Sequence, residues 1–235
     1  MARKKAVFNW SGGKDSALAL YKVLQSDEYE VVSLLTTINK NSGTSSMHAI
    51  PDDLLQAQAD SIGIPLYRVM LPEKDISGYN DAMIQSTEHF KTFGVNHFIF
   101  GDIYLHDVRS YREKQLNPHG IEVVEPLWDK TSEEIIEEFL ASGIKTKIIV
   151  TQAEKLDETF VGRDLDRSFI VSLPEGIDLC GENGEYHTFV YNTPYFKNEI
   201  KFSLDVPRKE HYDFVMDDGT KKRYYYWQCL LKSDL

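Results

Sequence analysis

Residues 5–16 read Lys5-Ala6-Val7-Phe8-Asn9-Trp10-Ser11-Gly12-Gly13-Lys14-Asp15-Ser16, a mainly apolar run that ends in a glycine-rich turn. Apolar side chains at helical spacing follow this turn, from Ala17 to Leu24. The stretch therefore predicts a buried strand, a tight turn and an amphipathic helix. Because a turn of this kind directs backbone N–H groups of the helix N-terminus to one point, we expect an anion to bind there.

The alternation of strand and helix continues outward from this stretch. Apolar runs predict further strands at 31–38, 66–70, 97–100 and 121–124, with helical patterns between them. This order predicts an α/β fold, a parallel five-stranded sheet with helices on both faces. Ligands of such sheets bind outside the carboxyl ends of the strands, so we expect the loops at 11–16, 36–46 and 101–112 to form a site.

The pattern changes in the second half of the chain. Thr131 and Glu134 form a capping-box pattern that predicts a helix ending near Gly143. Turn signals at 174–176 and 183–184, with an aromatic run at 224–227, then predict a smaller α+β domain. We place the domains at 1–127 and 128–235.

Composition narrows the class of protein. The 235 residues are 42% apolar and 27% charged, with a net charge of −11, which argues against a broad nucleic-acid-binding face. No apolar run approaches the roughly 18 residues of a membrane span. The two cysteines, Cys180 and Cys229, lie far apart and give no support for a zinc, iron–sulfur or disulfide framework, so we expect a cytoplasmic protein.

The turn at 11–16 has chemistry suited to phosphate, although it matches neither GxGxxG nor the Walker A spacing. It combines glycines that permit close approach, hydroxyl donors and one cation, supplied by Ser11, Gly12, Gly13, Lys14 and Ser16. Asp15 is expected either to cap the helix or to hold a magnesium ion.

A second motif lies at 181–190, Gly-Glu-Asn-Gly-Glu-Tyr-His-Thr-Phe-Val. Asn183-Gly184 predicts a type I′ hairpin that places Glu182 opposite Glu185. Since facing carboxylates repel, the pair is expected either to remain solvated or to hold a cation, and His187 beside them could transfer a proton near neutral pH.

Other polar side chains follow predicted strand ends or share a helix face. His48 and Asp102 are candidates for the same cleft. Arg109 and Arg112 lie three residues apart and could neutralise phosphate, or pair with acids such as Glu113.

The hexapeptide at 11–16 resembles the SGGxDS signature of the PP-loop ATP pyrophosphatases, whose fold is of the HUP type. The segment at 181–190 is similar to GEGGEYETFV of the diphthine–ammonia ligase family, apart from Asn183 for Gly and His187 for Glu. Further resemblance lies at 47–48, 125–128 and 162–163, where the chain reads Met-His, Glu-Pro-Leu-Trp and Gly-Arg.

The resemblance implies an ATP-dependent ligase that adenylates a carboxylate and displaces AMP with ammonia, using Mg²⁺. It assigns 1–127 to ATP and 128–235 to the acceptor, a modified protein side chain or a small molecule. Diphthamide belongs to archaeal and eukaryotic translation factors. ATP contacts are expected from 11–16 and from Thr36, Gly101 and Asp102. The implied catalytic residues are Lys14, Glu182, Glu185 and His187, with Asp15 on the metal and the acceptor contacts His48, Arg109 and Arg112.

Two other functions remain open from the sequence. One is a PP-loop sulfur transferase acting on RNA, and the other is a nucleotide-binding module without turnover. A homodimer is the default expectation for the assembly.

Overall fold

The computed structural model describes residues 2–45, 49–71, 77–215 and 220–234. Its first half contains a five-stranded parallel sheet, in the order β3-β2-β1-β4-β5. The strands are β1 (Lys4–Asn9), β2 (Tyr29–Asn39), β3 (Leu66–Leu71), β4 (His97–Ile99) and β5 (Glu122–Val124). The predicted parallel sheet is therefore confirmed.

Helices cover both faces of this sheet. They are α1 (Lys14–Ser26), α2 (Asp52–Ile62), α3 (Ser77–Lys91) and α4 (His106–Leu116). Phe8 of β1 packs in one core with α1 and α2, whereas its neighbour Val7 packs in a second core with Phe90 of α3. Successive side chains of a strand point to opposite faces, so the two cores lie on opposite sides of the sheet.

The sheet has a topological switch beside β1. The chain adds β2 and β3 on one side of β1 and then β4 and β5 on the other. The loops after β1 and β4 therefore meet at a crevice. A Cβ atom on Gly101, just after β4, would lie 3.0 Å from the backbone of Asp15 and Ser16, so the two loops are in close contact.

The second half is α+β, as predicted. Its elements are α5 (Ser132–Ser142), β6 (Lys145–Gln152), α6 (Arg167–Ser172), β7 (Tyr186–Asn192), β8 (Phe202–Leu204), β9 (Arg208–Val215), β10 (Lys221–Gln228) and β11 (Leu231–Ser233). An antiparallel sheet has the order β7-β6-β10-β9, and β11 pairs with β8. Short 3-10 turns lie at Asn117–His119 and Glu158–Phe160. The capping box of Thr131 and Glu134 begins α5.

A buried amide joins the two halves at the glycine-rich turn. Gln58 of α2 is fully buried; its Oε1 accepts from Trp10 Nε1 at 2.8 Å, and its Nε2 donates to the carbonyls of Gly12 at 3.2 Å and Val190 at 2.6 Å. The N–H of Val190 also donates to the Gly12 carbonyl, at 2.9 Å. The turn after β1 is thus fixed by α2 and by β7. The boundary at 127/128 stays a prediction.

We expect Gly12→Ala to destabilise the protein more than Gly120→Ala. Both glycines have positive φ, +80° and +74°, so each alanine costs about 1–2 kcal/mol of backbone strain. The Gly12 Cβ would also lie 2.9 Å from Gln58 Oε1 and Ile50 Cδ1, which adds about 1–3 kcal/mol, whereas nothing lies within 4 Å at Gly120. Urea unfolding of both variants measures the difference, and equal losses would contradict the packing argument.

Candidate active site

The turn from Ser11 to Ser16 is held by its own hydroxyl groups. Ser11 Oγ donates to Ser16 Oγ at 3.0 Å and accepts the N–H of Gly13 at 3.3 Å, while Ser16 Oγ donates to the Gly13 carbonyl at 2.9 Å. Gly13 is the N-cap of α1 and receives no side-chain capping bond. Asp15 lies in the first turn of α1, where its carboxylate accepts a hydrogen bond from its own backbone N–H, so its role as a cap of this helix end stays a prediction.

Lys14 places a buried cation in the first turn of α1. Its side chain is 6% exposed, and Nζ lies 2.7 Å from both carboxylate oxygens of Asp15. Burial acts to lower the pKa of Lys14, but the Asp15 carboxylate and other nearby anionic groups outweigh it and raise that pKa above its ordinary value. Lys14 is therefore positively charged at neutral pH. Asp15 keeps 29% of its side chain exposed.

The second motif reaches this turn through β7. The backbone N–H of Lys14 donates to Thr188 Oγ1 at 2.9 Å, and Lys14 Nζ lies 5.6 Å from the ring centroid of Tyr186. The two motifs singled out in the sequence thus form one site, and the 181–186 turn faces the glycine-rich loop.

The geometry of the 181–186 turn differs from the predicted type I′ hairpin. Gly181 and Gly184 have positive φ, whereas Asn183 does not. The N–H of Gly184 donates to the Gly181 carbonyl at 3.0 Å, so Glu182 and Asn183 occupy the centre of the turn. The Asn183 N–H donates to the carboxylate of Glu185 at 3.0 Å, which explains why the local Asn-Gly preference is overridden. Glu182 and Glu185 are not a cross-strand pair.

These two glutamates have different surroundings. The side chain of Glu185 is 2% exposed and forms an ion pair with Lys155 Nζ at 3.1 Å. Glu182 is partly exposed and forms no ion pair with any residue that the structure describes. Burial, followed by the charge of Asp15, raises the pKa of Glu182 to about 7. Glu182 therefore exchanges a proton near neutral pH.

His187 is uncharged at that pH. Burial and then the positive charge of Lys14 lower the pKa of His187 to about 4. The expectation that His187 titrates near neutral pH is wrong, chiefly because its imidazole is buried, and the positive charge of Lys14 adds to the effect. Glu182, whose pKa is about 7, is the group that titrates near neutral pH.

Three further side chains of the site, Thr188, Tyr104 and Asp178, were not predicted from the sequence. The hydroxyl of Tyr104 donates to the carboxylate of Asp178, and the charge of Asp178 acts on Glu182. Both line a hollow of about 310 Å³ that also includes Ser132. Thr188 and Tyr104 lie in segments already recognised as motifs, whereas nothing local distinguishes Asp178.

The two arginines of α4 are already paired with carboxylates. Arg112 forms an ion pair with Asp102, which follows β4. Arg109 Nε lies 2.9 Å from Glu113 and 3.5 Å from Glu125, and its guanidinium stacks 4.5 Å from the centroid of Trp128. The alternative of pairing with Glu113 is thus observed for Arg109, and contact with phosphate or acceptor stays a prediction for both.

Two other residues, Thr36 and His48, were predicted to contact ATP and the acceptor, respectively. Thr36 lies inside β2, opposite Arg68, and is buried one residue past the last pairing of β2 with β1, so its contact with ATP stays a prediction. His48 lies outside the described residues. Within the described ranges, no three His, Cys, Asp or Glu side chains are grouped as a metal site, and no helix is both long and apolar enough to cross a membrane.

We expect Glu182→Gln to change how stability depends on pH. The pKa of Glu182, about 7 in the folded protein, lies above the ordinary 4.5, so the native state binds its proton more tightly than the unfolded chain. The resulting stabilisation is complete below pH 4.5 and is lost as the pH rises through about 7. The unfolding free energy of the variant should therefore fall less over this window.

Urea unfolding at several pH values measures this slope. Glu30→Gln, which changes an exposed carboxylate on β2, is the matched control and should behave as the wild type. Identical slopes in wild type and Glu182→Gln would contradict the assignment.

Comparison with known proteins gives two adjoining matches. The family models described as diphthamide synthase N-terminal domain and C-terminal domain match residues 4–123 and 130–222. The chain is 25% identical over 213 residues to a diphthine–ammonia ligase of Bos taurus and 24% to that of Homo sapiens, covering 81% of this chain and 79% of each relative. A Schizosaccharomyces pombe diphthine–ammonia ligase is 26% identical, with 34% of its length covered. The chain belongs to the diphthamide synthase family.

Proposed function

We propose that this protein is an ATP-dependent ligase that converts the carboxylate of diphthine to an amide with ammonia. The acceptor carboxylate oxygen attacks the α-phosphorus of ATP, the bond to the β-phosphate oxygen breaks, and pyrophosphate leaves. The nitrogen of ammonia then attacks the acyl-adenylate carbonyl, AMP leaves and a proton is lost. The relatives named diphthine–ammonia ligase support this reaction.

The observation that carries the proposal is the contact between the glycine-rich turn and the 181–190 motif. The hydrogen bond from the Lys14 N–H to Thr188 joins the expected triphosphate site to the segment that carries Glu182. A buried ammonium at a helix N-terminus suits a polyphosphate, because both attract anions. Gly101 and Asp102 border the same crevice and are proposed as further ATP contacts.

The donors of the site suit a magnesium ion that is shared between a carboxylate and the phosphates of ATP. Mg²⁺ commonly binds one or two carboxylates together with substrate phosphates, and the partly exposed carboxylate of Asp15 would hold it with the phosphate oxygens. The ion would offset negative charge on the transferring phosphate.

Glu182 is the residue we propose as the proton acceptor for ammonia. A base works best when its pKa lies near the working pH, and that of Glu182 is about 7. Neutral His187 is proposed to hydrogen-bond a reacting group, and buried Glu185 to hold the turn through Lys155. Arg109, Arg112 and His48 stay as proposed acceptor contacts.

The sulfur-transferase alternative has little support from the cysteines. Burial raises the pKa of the Cys180 thiol to about 12, so a reactive thiolate is disfavoured, and Cys229 is also buried.

Turnover should produce AMP and pyrophosphate and not ADP. The assay combines purified protein, ATP, Mg²⁺, ¹⁵N-ammonium and the diphthine form of the translation factor, with mass spectrometry to detect ¹⁵N in the acceptor. ADP as the product, or the absence of ¹⁵N from the acceptor, would contradict the proposal. ATP binding without any turnover would favour the nucleotide-binding module.

Glu182→Gln should lower kcat by about 10²–10⁴-fold while leaving ATP affinity unchanged, because it removes a proton acceptor and no phosphate contact. The wild-type rate should rise as the pH passes about 7, whereas the rate of the variant should not rise over this pH range. Glu175→Gln, an exposed change in the segment preceding the 181–186 turn, is the control.

Ser11→Ala should instead weaken ATP binding, since it breaks the hydrogen bonds inside the glycine-rich turn. A weaker ATP affinity in Glu182→Gln would argue against this division of roles.

A further inference from the structure

The hairpin formed by β9 and β10 differs in charge from the rest of the molecule. Its two strands carry five Lys and Arg residues and two Asp and Glu residues, whereas the remainder of the chain carries 21 and 35. The connecting residues 216–219, which include Asp217 and Asp218, lie outside the described residues. A basic strand pair on an acidic protein favours encounter with an acidic surface.

The register places this hairpin at the same end of the antiparallel sheet as the 181–186 turn. β10 pairs with β6 only through Tyr226–Gln228, opposite Gln152–Val150. The preceding part of β10, 221–225, therefore runs past the end of β6, roughly 15 Å at the usual rise of a strand. At that same end, the Gln152 N–H donates to the Glu185 carbonyl at 2.9 Å. The overhang and the 181–186 turn thus project from the same end of the sheet.

The side chains of the β9–β10 hairpin have the composition of a protein interface. Tyr212 and Tyr225 are 46% and 40% exposed, and Lys209 lies 5.3 Å from the ring centroid of Tyr225 and 5.5 Å from that of Trp227. Tyrosine, tryptophan and arginine are enriched in such interfaces and at their energetic centres. β9 is also an edge strand, since it pairs only with β10 in the described part of the chain.

We propose that the β9–β10 hairpin is a docking surface for an acidic region of the protein that carries the acceptor side chain. This rests on the proposed function, in which the acceptor is part of a protein. RNA fits the same surface less well, because Lys209 covers the faces of Tyr225 and Trp227 and because both guanidinium bonds of Arg223 go to Asp213, at 2.7 and 3.0 Å. Few open ring faces therefore remain for stacking on bases.

The test uses the double variant Lys221→Glu/Lys222→Glu in the overhang. Its matched control is Lys91→Glu/Lys114→Glu, which changes the net charge equally at exposed positions of α3 and α4. For the hairpin variant we expect KM for the diphthine-bearing translation factor to rise about tenfold at low ionic strength, with kcat and the Kd of ATP unchanged. The effect should diminish with salt, because salt screens exposed charges. The control variant should keep the wild-type KM for the translation factor.

Two further measurements separate docking from chemistry. A short diphthine-bearing peptide should be converted equally by wild type and hairpin variant, and equilibrium binding to the intact factor should weaken in the hairpin variant alone. This binding assay requires no turnover, so it tests docking even if the wild type proves inactive and the proposed function fails. Unchanged binding and KM in the hairpin variant would overturn the docking proposal, as would loss of binding to a short RNA together with unchanged binding to the factor.

Discussion

The carbonyl group of Gly12 accepts hydrogen bonds from the amide of Gln58 and from the backbone of Val190, and the candidate site depends on this convergence. A strand, a turn and a helix can form locally, but here the conformation of the turn is fixed by α2 on one side and by β7 on the other. Leaving one such buried group without its partner costs about 1–3 kcal/mol. The glycine-rich turn is thus held in place by the second half of the chain as well as by the first.

The same convergence brings acidic groups together around one cation. The positive charge of Lys14 interacts with the carboxylates of Asp15, Asp178 and Glu182. Burial and then the charge of Asp15 raise the pKa of Glu182, and the charges of Asp178 and Glu185 add to this effect although Glu185 is paired with Lys155. His187, where the family pattern usually has Glu, adds no further negative charge because its imidazole is neutral. The substitution therefore limits a repulsion that another carboxylate would increase.

Local rules predicted the elements and failed where distant groups intervene. The strand and helix around Ser11–Ser16 and the capping box of Thr131 follow from residue type and spacing alone. The Asn183-Gly184 hairpin was wrong because the rule assumes two paired flanking strands, whereas only Tyr186 begins one and the Glu185 carboxylate binds the Asn183 N–H. The bond from Lys14 to Thr188 spans most of the chain, and no sequence pattern specifies such a partner.

β6 connects the chemistry to the proposed docking surface. Its pairing with β7 shifts between Ile148 and Val150, so Ile149 is an extra residue opposite His187 and Thr188. The carbonyl of Ile149 accepts the N–H of Cys229, just after β10, at 2.9 Å. Side chains alternate along a strand, and a one-residue shift would turn Thr188 away from Lys14. The bulge at Ile149 therefore adjoins both the part of β7 that contacts the glycine-rich turn and the base of the β9–β10 hairpin, and bulges of this kind locally increase the twist of a strand.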